Sequence, residues 1–250
     1  MPNLEGRKYG FRALVGSWNY NLNEESSDRD YKLFLIPTFD DLYTNHQFSK
    51  SIIGELEDFD CHDIRKVSNL WWKANVNFLE VLFTEELLVN IELTSKSKHC
   101  INELFKNKDK IVIMNLPYLF NACVGMHITK KNDIDKGTEG TKHLIKMHGY
   151  ETKMAMHSIR ILDFLIRFAN QGFKDFKKAI WYELDDPKRL LLLDIKHGKY
   201  TKEQYLEMAT YMQNLVETEY KNFYMDKTVN IDTNEAILTL VKEIIKEELF

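Results

Sequence analysis

A chain of 250 residues is long enough to bury a sizeable core and sets an expectation of one large domain or two smaller ones. Its 44% hydrophobic and 12% aromatic content, with only 10 Gly and 4 Pro, excludes a largely disordered chain, and a formal net charge of -4 excludes a general positive field, so a polyanionic partner must meet a local patch. No basic-then-apolar leader opens the sequence, no run of about 18 apolar residues occurs, and Cys61, Cys100 and Cys123 form no CxxC pair, so the expectation is a cytoplasmic protein with reduced thiols, no membrane partner and no zinc.

In chain order, "FRALV" (Phe11 to Val15), "YKLFLIP" (Tyr31 to Pro37) and "NFLEVLF" (Asn77 to Phe83) have strand length and β-branched or aromatic content, which predicts strands of one mixed sheet. Between the last two, Ile64, Val67, Leu70 and Trp71 recur at three and four, so Asp63 to Asn75 is expected to form a helix on that sheet, with Trp71-Trp72 filling the core. From Glu85 onward helical spacing dominates, over Glu85 to Leu104, Ile111 to Ile128, Tyr150 to Gln171, Thr201 to Phe223 and Thr233 to Glu248. The polar stretch Lys130 to Lys142 reads as a loop or linker, and the "KEIIKEEL" tail as a surface helix. The fold class is therefore α/β (α+β): an N-terminal mixed sheet with flanking helices over residues 1–104, then a mainly helical domain over 105–250.

Three acids stand out. Asp28 and Asp30 are two apart at the entrance of an apolar strand, so they share a face, and such a pair repels unless a cation or a proton intervenes. Hard oxygen ligands of this kind suit Mg²⁺ together with phosphates; the competing reading is a solvated "SSDRD" turn. Glu80 sits amid Phe78, Leu79, Val81, Leu82 and Phe83, where an unpartnered charge is expensive, so a charge or metal partner is expected, the other option being a strand-edge carboxylate facing water. Gly16-Ser17 after a strand fits either a Ser-capped helix start or a turn whose N–H groups and hydroxyl take a phosphate. Further on, Lys153, His157 and Arg160 fall at i, i+4 and i+7, one polar stripe of donors that suits a triphosphate or, more simply, a solvated helix face. Cys61-His62 among Asp58, Asp60 and Asp63 lacks a second Cys/His pair at ligand spacing, which speaks against zinc.

Taken in order, these residues resemble the DNA polymerase beta-like nucleotidyltransferase superfamily, with its strand, Gly-Ser at a helix start, Asp-x-Asp on the next strand and a third acid on a later one. Within it the chain is similar to a branch of predicted, RNA-repair-associated nucleotidyltransferases, whose pattern runs G-S-x-x-Y-G, S-D-x-D, N-P-N-x-x-E-x-L-F and G-Y-x-x-K-x-x-x-H-x-x-R. Here these become Gly16-Ser17-x-x-Tyr20-Asn21, Ser27-Asp28-x-Asp30, "NVNFLEVLF" and "GYETKMAMHSIRIL", covering Arg12 to about Tyr220. Asn21 replaces a glycine, which Asn, tolerant of left-handed backbone angles, can stand in for. Val76 replaces a proline, and Trp18 replaces an arginine, trading a phosphate contact for a surface on which a base can stack.

The resemblance implies transfer of a nucleoside monophosphate from an NTP, ATP among them, to an acceptor, with an RNA end such as that of tRNA foremost. It implies two Mg²⁺ ions (or Mn²⁺) held by Asp28, Asp30 and Glu80 as metal-binding catalytic residues. Nucleotide-binding roles are implied for Gly16, Ser17, Ser27, Lys153, His157 and Arg160, with the substrate in a cleft completed by the helical domain. Other expectations consistent with the same residues are transfer to a protein side chain, as by a modifying enzyme or toxin, and a non-catalytic nucleotide- or RNA-binding descendant.

Overall fold

The alternation of apolar and polar residues around Gly16 builds the first elements. Tyr9–Val15 (β1), a single helical turn Ser17–Tyr20 (α1) and Arg29–Leu35 (β2) follow one another, the two strands pairing antiparallel with Phe11 opposite Phe34 and Val15 opposite Asp30. These come from a computed structural model that describes residues 2–25, 27–54 and 56–250; Ser26 of the "SSDRD" turn lies outside the described residues. After the short helix Phe39–Tyr43 (α2), Ser49–Ile52 (β3) and Glu57–Asp63 (β4) extend the sheet, and Leu87–Val89 (β5) closes its other edge, in the order β3-β4-β2-β1-β5. Only β2 and β4 run parallel, which makes the sheet mixed.

Pleating divides the sheet chemically. Tyr31, Leu33, Leu35, Phe59 and Cys61 join Leu14 and Phe48 in an apolar cluster on one face. Burial there pushes the Cys61 thiol up to about 11. The register puts Asp30, Lys32 and Phe34 beside Asp58, Asp60 and His62 on the other face. Lys32 and His62 meet Asp60 at 2.6 and 2.8 Å, and burial of that carboxylate is outweighed by His62 and Lys32, which hold its pKa well below the usual range. Cys61 and His62, adjacent in sequence, thus point to opposite faces.

"NFLEVLF" is not a strand. Ala74, at φ +47°, ends Val67–Trp72 (α3). Asn75 then caps a new turn by accepting from the Asn77 N–H, and the chain coils through Val76–Leu79 (α4) into a 3-10 turn over Glu80–Phe83. Trp71, fully buried, fastens this turn by donating its indole N–H to the Phe78 carbonyl at 3.1 Å. The expected helix from Asp63 starts as a 3-10 turn at Ile64–Lys66, capped by Asp63. The expected helix from Glu85 begins only at Ser95, behind the Thr94 cap, as Ser95–Lys106 (α5), the intervening residues having gone to β5; Lys108–Ile113 (α6) follows.

The remainder is helical up to the C-terminus: Leu116–Asp133 (α7), Lys142–His148 (α8), Thr152–Asn170 (α9), Phe176–Ile180 (α10), Pro187–Lys196 (α11), Lys202–Leu215 (α12) and Lys221–Met225 (α13). The helix α7 takes the first four residues of the expected loop, Lys130 to Asp133, and a π-helical turn, Val216–Tyr220, interrupts the helix expected over Thr201 to Phe223. At the centre lies α9, whose Ser158 hydroxyl meets both His127 Nδ1 and the Tyr205 hydroxyl at 2.9 Å. The Tyr224 hydroxyl donates to the Leu165 carbonyl at 2.7 Å.

Ile231–Leu249 (α14) places Ile237, Val241 and Ile244 in the interior, while Lys96 of α5 pairs with Glu243 and Glu247, and Glu248 accepts from the Thr94 N–H. The chain accordingly divides into two compact units, Met1–Asn115 with Val229–Phe250, and Leu116–Thr228. Against the boundary expected at residue 104, α6 and α14 fall in the unit of the sheet, where α14 packs on α3 and α5. Among the described residues no helix is long and apolar enough to cross a membrane.

Candidate active site

The site in the sheet unit is built around a residue with no side chain. At the end of β1 the chain turns at Gly16 with φ +71° and ψ -143°, a conformation that L side chains rarely adopt. The turn of α1 follows and is closed by Asn21 in the left-handed region at φ +59°, a conformation Asn tolerates better than most residues. The Gly16 N–H donates to Glu80 Oε2 at 3.0 Å, and the Asn19 amide donates to the Glu80 carbonyl at 3.0 Å and to Oε2 at 3.2 Å. Glu80 and Asn19 are both buried. On its other side Gly16 faces Asp30: a Cβ there would sit 2.7 Å from Asp30 Oδ2. One glycine therefore lies between the carboxylates of Asp30 and Glu80, 50 residues apart in sequence.

That geometry makes a direct prediction. Gly16→Ala forces a methyl group onto Asp30 and a side chain onto a backbone conformation suited to glycine, a strain of about 1–3 kcal/mol. A lower melting temperature together with loss of any activity of the acids is expected, read by calorimetry and by the transfer assay given below.

Asp28 is placed differently from the expectation of two acids side by side on a strand. The strand β2 begins at Arg29, and Asp28 lies exposed at its entrance. Its carbonyl accepts the Trp18 indole N–H at 3.0 Å, and the Arg29 guanidinium stacks 5.0 Å above the Trp18 ring while pairing with Glu86. Trp18 thus ties the entrance of β2 to α1 and packs against the apolar cluster. Ser27 uses its hydroxyl to accept from the Glu24 N–H at 2.9 Å, shaping the turn. The Gly16 amide is engaged by Glu80, whereas the Ser17 hydroxyl makes no hydrogen bond among the described residues.

Sequence reasoning took Asp58 as a neighbour of Cys61-His62 and not as a companion of Asp30. It is the register partner of Asp30 on the parallel strand β4, on the same face, and accepts from the Gly54 N–H at 3.1 Å. Its signal was present in "EDFDCHD", where Asp58, Asp60 and His62 alternate with Phe59 and Cys61 as in a strand with one polar face.

Carboxylate oxygens suit a hard divalent cation such as Mg²⁺, and Asp30 and Glu80 converge where a side chain is missing. Among the described residues no group of three or more acidic, histidine or cysteine side chains is arranged to hold a metal. The acids supply two converging carboxylates and a third, Asp28, at the exposed strand entrance.

Lys153, His157 and Arg160 belong to the helical unit and lie along α9. They form a graded stripe: Lys153 is exposed, His157 half-buried and Arg160 buried. Met154 is half-buried, whereas Ile161, Leu162 and Leu165 are in the core. Burial, followed by the positive charges of Arg160, Lys130, Lys153 and Lys196, holds the His157 ring well below its ordinary pKa. Neither Lys130 nor Lys196 stood out in sequence, because each is on another helix. No family model matches the sequence, and no curated protein does.

Proposed function

We propose that the chain is a Mg²⁺-dependent nucleotidyltransferase that moves a nucleoside monophosphate from an NTP to a hydroxyl group, foremost at an RNA end. The observation that carries this reading is the Gly16 turn, which joins Asp30 and Glu80 at the end of β1, beside the hydroxyl-bearing Ser17. In such a transfer the acceptor oxygen bonds to the α-phosphorus, the bond from that phosphorus to the bridging oxygen breaks, and pyrophosphate leaves with the electron pair. Mg²⁺, with Asp28, Asp30 and Glu80 as the residues to hold it, would supply neutralisation of the phosphate charge and a more acidic acceptor hydroxyl. Glu80, fixed by Gly16 and Asn19, offers a carboxylate for the hydroxyl proton. Ser17 offers a donor to a phosphate oxygen, and the absence of a Cβ at Gly16 leaves room for the Asp30 carboxylate against the turn.

The test incubates the full chain with each of the four α-³²P-labelled NTPs, Mg²⁺ and a mixture of cellular RNA and protein. Label on nuclease-sensitive product is expected. Label that only protease removes would move the acceptor to a protein side chain, and no label with any of the four nucleotides would overturn the proposal.

A further inference from the structure

A break between two helices and one small side chain leave a cavity in the sheet unit. The helix α5 closes at Asn107, whose backbone N–H donates to the Glu103 and Leu104 carbonyls at 3.2 Å and whose amide donates to the Glu103 carbonyl at 2.8 Å. The helix α6 begins anew after it. Antiparallel to α5 runs α14: its last turns meet the start of α5 through Lys96 with Glu243 and Glu247, and Asn230, its N-cap, donates its N–H to the Met114 carbonyl beyond α6 at 2.7 Å. Where the three helices face one another α14 presents Ala236, too short to fill the space, and a cavity of about 350 Å³ remains.

Its lining has two chemistries. Leu104, Ile111 and Ile237, all buried, and the half-buried Leu240 make an apolar wall. Toward the first turn of α14 stand Lys110 and Asp232, both exposed, and Thr233 adds a hydroxyl. Neither Lys110 nor Asp232 has an ion-pair partner among the described residues, although both line the same cavity. Helical spacing brings the two chemistries together: Thr233, Ala236, Ile237 and Leu240 fall at i, i+3, i+4 and i+7 on α14, and Lys110 and Ile111 are neighbours on α6.

The volume is near the small end for ligand sites, which suits one small molecule rather than a stretch of polymer. A purely apolar guest would leave both charges unanswered. A simple anion would meet Asp232, and a simple cation would meet Lys110. A small zwitterion with an apolar side chain complements the wall and both charges at once.

We propose that this cavity binds a free α-amino acid with an apolar side chain. Its carboxylate goes to Lys110 and the Thr233 hydroxyl, its ammonium group to Asp232, and its side chain to the wall of Leu104, Ile111, Ile237 and Leu240. The site uses no residue of the Gly16 turn, so it stands or falls apart from the transfer reading.

Calorimetric titration of the full chain with L-phenylalanine tests this, with 3-phenylpropionate, which lacks the ammonium group, and 2-phenylethylamine, which lacks the carboxylate, alongside. Wild type is expected to bind L-phenylalanine about tenfold or more tightly than either analogue, the scale of a hydrogen bond to a charged group. Lys110→Gln should erase the preference over 2-phenylethylamine, and Asp232→Asn the preference over 3-phenylpropionate. Ala236→Phe, which fills the cavity from an exposed position, should abolish binding while melting within a few degrees of wild type. No binding of L-phenylalanine by wild type, equal affinity for the two analogues and the amino acid, or binding that persists in Ala236→Phe would overturn the site.

Discussion

Asp30→Ala is expected to abolish nucleotidyl transfer, lowering the rate by about 10³-fold or more, the scale seen when a group that stabilises developing charge is removed. The protein is expected to stay folded. Asp30 stands opposite Val15 in β1 and beside Asp58 in β4, with Glu80 across Gly16. Like charges side by side across strands destabilise a sheet by a few tenths of a kcal/mol to about 1 kcal/mol, so the relief of that repulsion offsets part of what the lost contacts of Asp30 cost. Asp60→Ala is the contrasting control on the same face. Asp60 is neutralised by Lys32 and His62, so its loss should lower the melting temperature and leave transfer intact. Radiolabel incorporation under saturating NTP, with calorimetry of the same preparations, separates the two. An Asp30→Ala protein that transfers at the wild-type rate would remove the acids from the mechanism.

The contrast between these two aspartates also shows what could be read from sequence. Strands β1 and β2 were legible because their apolar residues are long, branched and bounded by polar turns, and the helical second half was legible because a 3.6-residue period repeats over many turns. "NFLEVLF" was not: a continuous apolar run carries no period, and the decision between strand and helix was made by Asn75, Ala74 and the indole of Trp71, all of which act from outside the run. The strand β4 was hidden for a different reason. Its alternating Asp58, Asp60 and His62 resembled metal ligands, while the partner that shows them to be one face of a strand, β2, is 28 residues away. The return of α14 to the sheet unit is long-range packing, which no local window contains. As for the site, spacing pointed to Asp30 and Glu80 separately. Their meeting at Gly16 depends on the 3-10 turn that carries Glu80, and so was invisible until that turn was in place. The depth of Arg160 was equally hidden, since a stripe at i, i+4 and i+7 fixes a face and not how far that face is covered.

Glu80 is where the two demands, on fold and on chemistry, meet, and its variants are expected to part them. Glu80→Ala removes the acceptor for the Gly16 N–H and for one of the Asn19 hydrogen bonds, leaving donors stranded in a buried region. A loss of about 2–4 kcal/mol is expected from two bonds to a charged acceptor, seen as a fall of about 10 °C in the melting of the sheet unit. Glu80→Gln keeps an oxygen at the same reach, so the Gly16 turn can stay closed and melting should fall by only a few degrees. Without its negative charge, however, the residue neither takes a proton nor draws a cation, and transfer is expected to drop about 10²-fold or more. The diagnostic pair is therefore near-native melting with lost transfer in Glu80→Gln, and loss of both in Glu80→Ala. Full transfer by Glu80→Gln would make Glu80 a buttress of the Gly16 turn alone, and the third acid would then have to be sought at Asp58, already beside Asp30 on the same face of the sheet.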